Sequence, residues 1–121
     1  MRHRALVVDD NPNNLMLVKD LLEAADFEVL EAETGTQGLV LARTEKLDIL
    51  ILDVRLPDLR GSEVAKQLRL SKETRDIPIV FVTASVMPEG RDEIKTIANT
   101  AFIGKPINTR TFAKEILSFI R

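Results

Sequence analysis

The chain has 121 residues, with seventeen Lys and Arg against nineteen Asp and Glu, a formal net charge of −2, and 45% hydrophobic residues. That is one domain's worth of chain, able to bury about two-thirds of its unfolded surface and too apolar to stay disordered. The absence of cysteine excludes a disulfide framework, a thiolate zinc site and a thiol nucleophile, and the near-neutral charge lacks the basic footprint of direct nucleic-acid binding.

No apolar run approaches the ~20 residues of a membrane span. The basic start Met1-Arg2-His3-Arg4 is followed only by Ala5–Val8 before Asp9 and Asp10, too short a stretch for a signal peptide. The expected location is the cytoplasm.

In chain order, the first element is the continuous apolar run Ala5–Val8, which reads as a strand buried on both faces, as in a parallel sheet. Asn11 then caps a helix with Pro12 at its first position. At 100° per residue, Asn14, Leu15, Val18, Leu21, Leu22 and Ala25 share one face, while Met16 points the opposite way. A weaker strand signal at Glu28–Ala32 precedes a helix that follows Gly35 through Leu39, Ala42 and Arg43. Ile49–Leu52 is the next buried strand. Gly61 serves the turn into a third helix, with Val64, Ala65, Leu68 and Leu70 inward. Ile79–Val82 is the fourth strand, and Met87 and Pro88 read as the turn and start of a helix through Ile94 and Ile97. Ala101–Ile103 is a second weak strand. The last helix starts near Asn108 or Thr109 and buries Phe112, Ala113, Ile116, Leu117 and Ile120, with Phe119 at the edge of its stripe. Strand followed by helix, five times, argues an α/β fold: a parallel sheet with helices on both faces and right-handed crossovers. No linker or low-complexity segment interrupts it, so a single domain over residues 1–121 is expected.

Doubly wound sheets place their sites beyond the carboxyl ends of the strands. There stand Asp9-Asp10 after the first strand, Asp53 after the third, Thr83 after the fourth and Lys105-Pro106 after the fifth. One such Asp commonly caps a helix or opens a turn. Three, with a hydroxyl and an ammonium at the same edge, are a different matter. If the first and third strands are neighbours, three carboxylates meet in one cleft. Like charges held close are costly, and a cation or a phosphoryl group gives such a cluster its use. Hard oxygen ligands without His or Cys suit Mg²⁺ better than zinc. His3, the only histidine, has no metal-ligand partner in sequence and reads as structural.

The segments Val7-Val8-Asp9-Asp10-Asn11, Ile51-Leu52-Asp53-Val54-Arg55-Leu56-Pro57, Val82-Thr83-Ala84 and Lys105-Pro106 together resemble the response-regulator receiver domain of two-component signalling. The resemblance covers essentially the whole chain. It implies a doubly wound five-stranded parallel sheet of order 2-1-3-4-5, a flavodoxin-like three-layer sandwich. It also implies Mg²⁺-dependent transfer of a phosphoryl group from a phospho-histidine to an aspartate, in a signalling domain and not a turnover enzyme. Asp53 matches the acceptor, and Asp9 and Asp10 match the acidic pair that holds Mg²⁺ together with Asp53 and the Arg55 carbonyl. Lys105 matches the lysine that pairs with a phosphoryl oxygen, and Pro106 the cis-proline that aims it. Thr83 matches the switch hydroxyl and Phe102 the switch aromatic. Arg55 and Ser85 occupy the two positions that tune dephosphorylation.

The sequence departs from the family's pattern at Arg60, where Asp or Asn commonly precedes the glycine; this touches the loop, not the acceptor. The partners implied are a histidine kinase or histidine phosphotransfer protein upstream, with Met16 on the docking helix, and a downstream protein or fused output domain. A stand-alone protein or an N-terminal module, monomeric or dimerising on phosphorylation, is expected. The alternative is a degenerate receiver acting as a phosphate-independent interaction module. A haloacid-dehalogenase phosphatase would want an Asp where Arg55 stands, and a flavin binder would not place Asp9-Asp10-Asn11-Pro12 against a phosphate.

Overall fold

The computed structural model describes residues 2–83 and 96–120. The helix expected from Pro88, with Ile94, and Ser85 lie outside these residues; Ile97, expected in the same helix, is described, and it is buried but not helical, lying in the turn that leads into the fifth strand. Five strands, β1 (Arg4–Val8), β2 (Glu28–Ala32), β3 (Ile49–Asp53), β4 (Ile79–Thr83) and β5 (Thr100–Gly104), and four helices, α1 (Pro12–Ala24), α2 (Gly35–Thr44), α3 (Gly61–Arg69) and α4 (Phe112–Phe119), are described. All neighbouring strands pair in parallel, in the order β2-β1-β3-β4-β5. This is the 2-1-3-4-5 doubly wound sheet.

Alternation along each strand divides the core in two. Leu6, Val8, Leu50, Leu52, Ile79 and Phe81 face one layer with Leu39 and Ala42 of α2 and Val64, Ala65 and Leu68 of α3. Ala5, Val7, Ile49, Ile51, Val80 and Val82 face the other with Leu15, Val18 and Leu22 of α1 and Phe112 and Ile116 of α4. Past Arg4 at the start of β1, the central strands therefore carry no polar residue until their carboxyl ends, which is why they read as unbroken apolar runs.

Local chemistry fixes where the helices begin and end. Asn11 accepts from the backbone N–H groups of Asn13 and Asn14 and Pro12 occupies the first helical position, a cap worth about 1 kcal/mol. No glycine closes α1; Asp26 takes the left-handed conformation instead, at φ 66°, one of the few residue types that do so readily. Thr34 caps α2 by accepting from Gln37 N–H.

Three expectations need correction. Leu70 caps the end of α3 and is 85% exposed, because the helix stops at Arg69 and the next position turns away from the sheet. The last helix starts at Phe112, since Asn108 first makes a turn by accepting from Arg110 N–H. Leu117 is exposed; with only eight residues, α4 buries a narrower stripe through Phe112 and Ile116. Met16 is exposed on the outer face of α1, and Phe119 is half-buried. Among the described residues, no helix is long and apolar enough to cross a membrane.

Candidate functional site

The order β2-β1-β3-β4-β5 sets the ends of β1 and β3 side by side at the middle of the carboxyl edge. One carboxylate oxygen from each of Asp9, Asp10 and Asp53 lies within 4.8 Å of the others. Asp9 is buried, Asp53 partly so and Asp10 exposed. Lys105, reaching in from beyond β5, donates from Nζ to Asp9 Oδ2 and to Asp53 Oδ2, each at 3.3 Å. Three carboxylates thus face one ammonium, and the cluster is left with an excess of negative charge. Its ligand atoms are all hard oxygens, a donor set that fits Mg²⁺ and not a metal preferring nitrogen or sulfur.

Each side chain is held by its own segment. Asp9 N–H donates to Ala32 O, continuing the β1–β2 ladder, while Asp9 Oδ1 accepts from Asn11 N–H at 2.9 Å. Asp53 is the last residue of β3, and its Oδ1 accepts from Arg55 N–H at 3.3 Å. Lys105 N–H donates to Thr83 O at 2.8 Å, which ties the lysine's backbone to the end of β4, and the Lys105–Pro106 peptide is cis. Burial pushes the Asp53 carboxyl up from its ordinary value, against the pull of Lys105 and the Arg55 N–H; the neighbouring Asp9 carboxylate pushes the same way as burial. Desolvation disfavours the charged form, so this carboxylate is held at a cost that an incoming cation would relieve.

Around the cluster opens a cleft of about 410 Å³. Asp10, Asn11 and Asn14 line it from the start of α1, Asp53 and Arg55 from the end of β3, and Thr83 and Lys105 from the far side. The structure therefore brings Asp9, Asp10, Asp53, Arg55, Thr83 and Lys105 to one place. Phe102 stands back from it, half-buried on β5, its ring centroid 5.7 Å from that of Phe81.

Three features escaped the sequence. Asn14 shares the helix face of Leu15 and Val18, yet in the first turn that face looks into the cleft. Gly61 is needed for close approach, since no glycine among the described residues has positive φ; a Cβ there would sit 2.5 Å from Asp53 O and 3.1 Å from Phe81 Cε1. Asp58, in the loop after β3, accepts from the backbone N–H groups of Gly35 and Thr36 at 2.8 and 2.9 Å and from the Thr36 hydroxyl. No local pattern signals a bond spanning 22 residues. The loop itself closes with arginine at position 60: Gly61 N–H donates to Val54 O, and Arg60 N–H to Glu63 Oε1 at 3.2 Å.

The response regulator receiver domain family matches this chain over residues 5–117. The polar-differentiation response regulator DivK of Brucella ovis is 35% identical over 120 residues, 99% of this chain and 98% of that protein. The chemotaxis response regulator CheY4 of Vibrio cholerae superposes with a TM-score of 0.92 at 29% identity, covering 99% of this chain and all of that one. The same fold is seen in the receiver domain of sensor histidine kinase PA1611 from Pseudomonas aeruginosa PAO1, solved with a magnesium ion coordinated in its active-site cleft (TM-score 0.89, 23% identity, 98% of each chain).

Proposed function

For a chain that belongs to the response regulator receiver domain family, we propose that Asp53 accepts a phosphoryl group from a phospho-histidine of a sensor kinase or phosphotransfer protein, and that the acyl phosphate switches the protein's contacts. The observation that carries this reading is the convergence of three carboxylate oxygens within 4.8 Å, with Lys105 bonded to two of the three groups. An acidic cluster of this kind, partly buried and with three carboxylates around one lysine, has an evident use with a cation and an anion to bind.

Asp9, Asp10, Asp53 and the Arg55 carbonyl would hold Mg²⁺, which supplies charge neutralisation at the transferring phosphoryl oxygens. The chain's own groups do the rest. An Asp53 oxygen forms the bond to phosphorus as the phosphorus–nitrogen bond of the donor breaks, its electron pair returning to the imidazole. Lys105 exchanges its bonds to the carboxylates for one to a phosphoryl oxygen, aimed by the cis Pro106. Thr83 turns its hydroxyl toward the same group. Phe102 follows inward against Phe81; with no phenolic hydroxyl, it transmits the change through packing alone. Arg55, at the cleft's mouth, and Ser85 govern how readily water reaches the acyl phosphate. The exposed Met16 on α1 lies on the face offered to the phospho-donor.

The test is intact mass after incubation with acetyl phosphate, with and without Mg²⁺, for the wild type and Asp53→Asn. The expected result is a gain of ~80 Da that needs Mg²⁺ and disappears in the variant. Labelling that persists in Asp53→Asn would move the acceptor elsewhere. A wild type that binds Mg²⁺ but forms no adduct, even with a kinase domain supplied, would make the domain a phosphate-independent interaction module.

A further inference from the structure

The loop from Val54 to Arg60 connects Asp53 to α3, and it is fixed at two levels. Its base is closed by the Arg55–Arg60 bridge and by Gly61 N–H on Val54 O. At its tip, both carboxylate oxygens of Asp58 are engaged at the start of α2, by Gly35 N–H at 2.8 Å, Thr36 N–H at 2.9 Å and the Thr36 hydroxyl at 2.5 Å. Leu59, next in the loop, lies against Gly35 so closely that a Cβ on the glycine would stand 2.9 Å from Leu59 Cβ. The start of α2 does not need Asp58 as its only cap, because Thr34 accepts from Gln37 N–H at 3.1 Å. Two caps therefore serve one helix end, one local and one delivered from the loop beside the cleft.

We infer that Asp58 is a positioning residue for the metal: by tying the loop tip to Gly35 and Thr36, it holds the Arg55 carbonyl where a cation bound by Asp9, Asp10 and Asp53 can use it. This rests on the reading of the cleft as a Mg²⁺ site. A backbone carbonyl cannot be aimed by a rotamer, so its direction is set by the loop that bears it. Outer-shell partners of this kind contribute to affinity through geometry, without contact with the ion. Coupling is reciprocal, so Mg²⁺ in the cleft must in turn steady the start of α2.

The experiment is titration of the metal-free, full-length protein with Mg²⁺ alone, followed by calorimetry, together with amide hydrogen exchange at Gly35 and Thr36. The variants are Asp58→Ala, Thr36→Val and Thr34→Ala. Asp58→Ala is expected to weaken Mg²⁺ binding about three- to tenfold, below the roughly 10–100-fold seen for direct outer-shell partners of a ligand. Thr36→Val, which keeps the fold and two of the three bonds, should show a smaller loss in the same direction. Thr34→Ala weakens the same helix end without touching the loop, and Mg²⁺ affinity should stay at the wild-type value. Mg²⁺ should slow exchange at Gly35 and Thr36 in the wild type and in Thr34→Ala, and leave it unchanged in Asp58→Ala. Equal losses of affinity in Thr34→Ala and Asp58→Ala would overturn the inference, since helix stability would then account for both. So would wild-type affinity in folded Asp58→Ala, with the metal site itself left standing. A wild type that takes up no Mg²⁺ would remove the underlying reading as well.

Discussion

Two clefts of comparable size, about 410 and 350 Å³, open at opposite edges of the same sheet. Both contain charged residues, and the difference lies in how far those charges are buried. At the amino edge, exposed Lys72, Glu73 and Asp76 line the cleft with Asp48, and beside it Arg4 pairs with Glu28, half exposed, and Glu45, partly buried, while its backbone N–H donates to Asp48. Nearby, the Arg69 guanidinium donates to the carbonyls of Ala98, Asn99 and Thr74. These groups tie segments together, and the carboxylates among them stay at least partly open to solvent. At the carboxyl edge, side chains only 7%, 14% and 16% exposed (Asp9, Asp53 and Lys105) share one positive charge among several negative ones, counting Asp10. Solvated charge at a segment boundary is cheap and structural, whereas a desolvated cluster of like charges is costly, and perturbed groups of that kind concentrate at functional sites.

The largest expected effect that would sharpen this contrast comes from Gly61→Ala. The added Cβ meets backbone at Asp53, not a flexible side chain, so β3 or α3 must shift. A loss of about 2–3 kcal/mol in urea unfolding is expected, together with weaker Mg²⁺ binding. At the other edge, Arg69→Ala should cost about 2 kcal/mol by leaving three carbonyls without their charged donor. The yield of Mg²⁺-dependent adduct should nevertheless match the wild type once both proteins are folded. A drop in adduct yield would break the division between the edges.

Asp53→Asn should run the other way. Because burial raises the Asp53 pKa in the folded protein, the protonated form is favoured there, and stability is lost as the pH rises through that value. In Mg²⁺-free buffer at pH 7 the neutral variant should therefore be more stable by about 1 kcal/mol, an ordinary single-substitution effect. The gain should shrink as the pH falls through the raised pKa toward 3.8. Thermal unfolding from pH 4 to 8 would measure it, and a variant less stable than wild type throughout would refute the charge excess. The smallest effect belongs to Glu28→Gln. Glu28 is half exposed in its pair with Arg4, and a change under about 0.5 kcal/mol, fading further in salt, is expected.

Much of this protein was legible in its sequence. The runs Ala5–Val8, Ile49–Leu52 and Ile79–Val82 are apolar on both faces because helices cover both sides of the sheet, and that local necessity is visible without any contact map. Asn11 and Pro12 announce α1 because capping acts over three or four residues. Asp9, Asp10, Asp53, Thr83 and Lys105 could be placed at one edge because parallel strands carry their last residues there. The tertiary structure alone decided how those residues meet. Lys105 bridges Asp9 and Asp53 across 96 and 52 residues, and Asp58 reaches back to Thr36. Gly61 is a glycine because of an oxygen eight residues earlier, not because of its own φ. Leu70 and Leu117 have the periodicity of core residues and lie outside it, since periodicity gives a direction on a helix but not where the helix stops or how wide a neighbour it meets. Propensity, capping and strand patterning act within a few residues and are written into the chain; bonds between distant segments depend on how the packed layers place them.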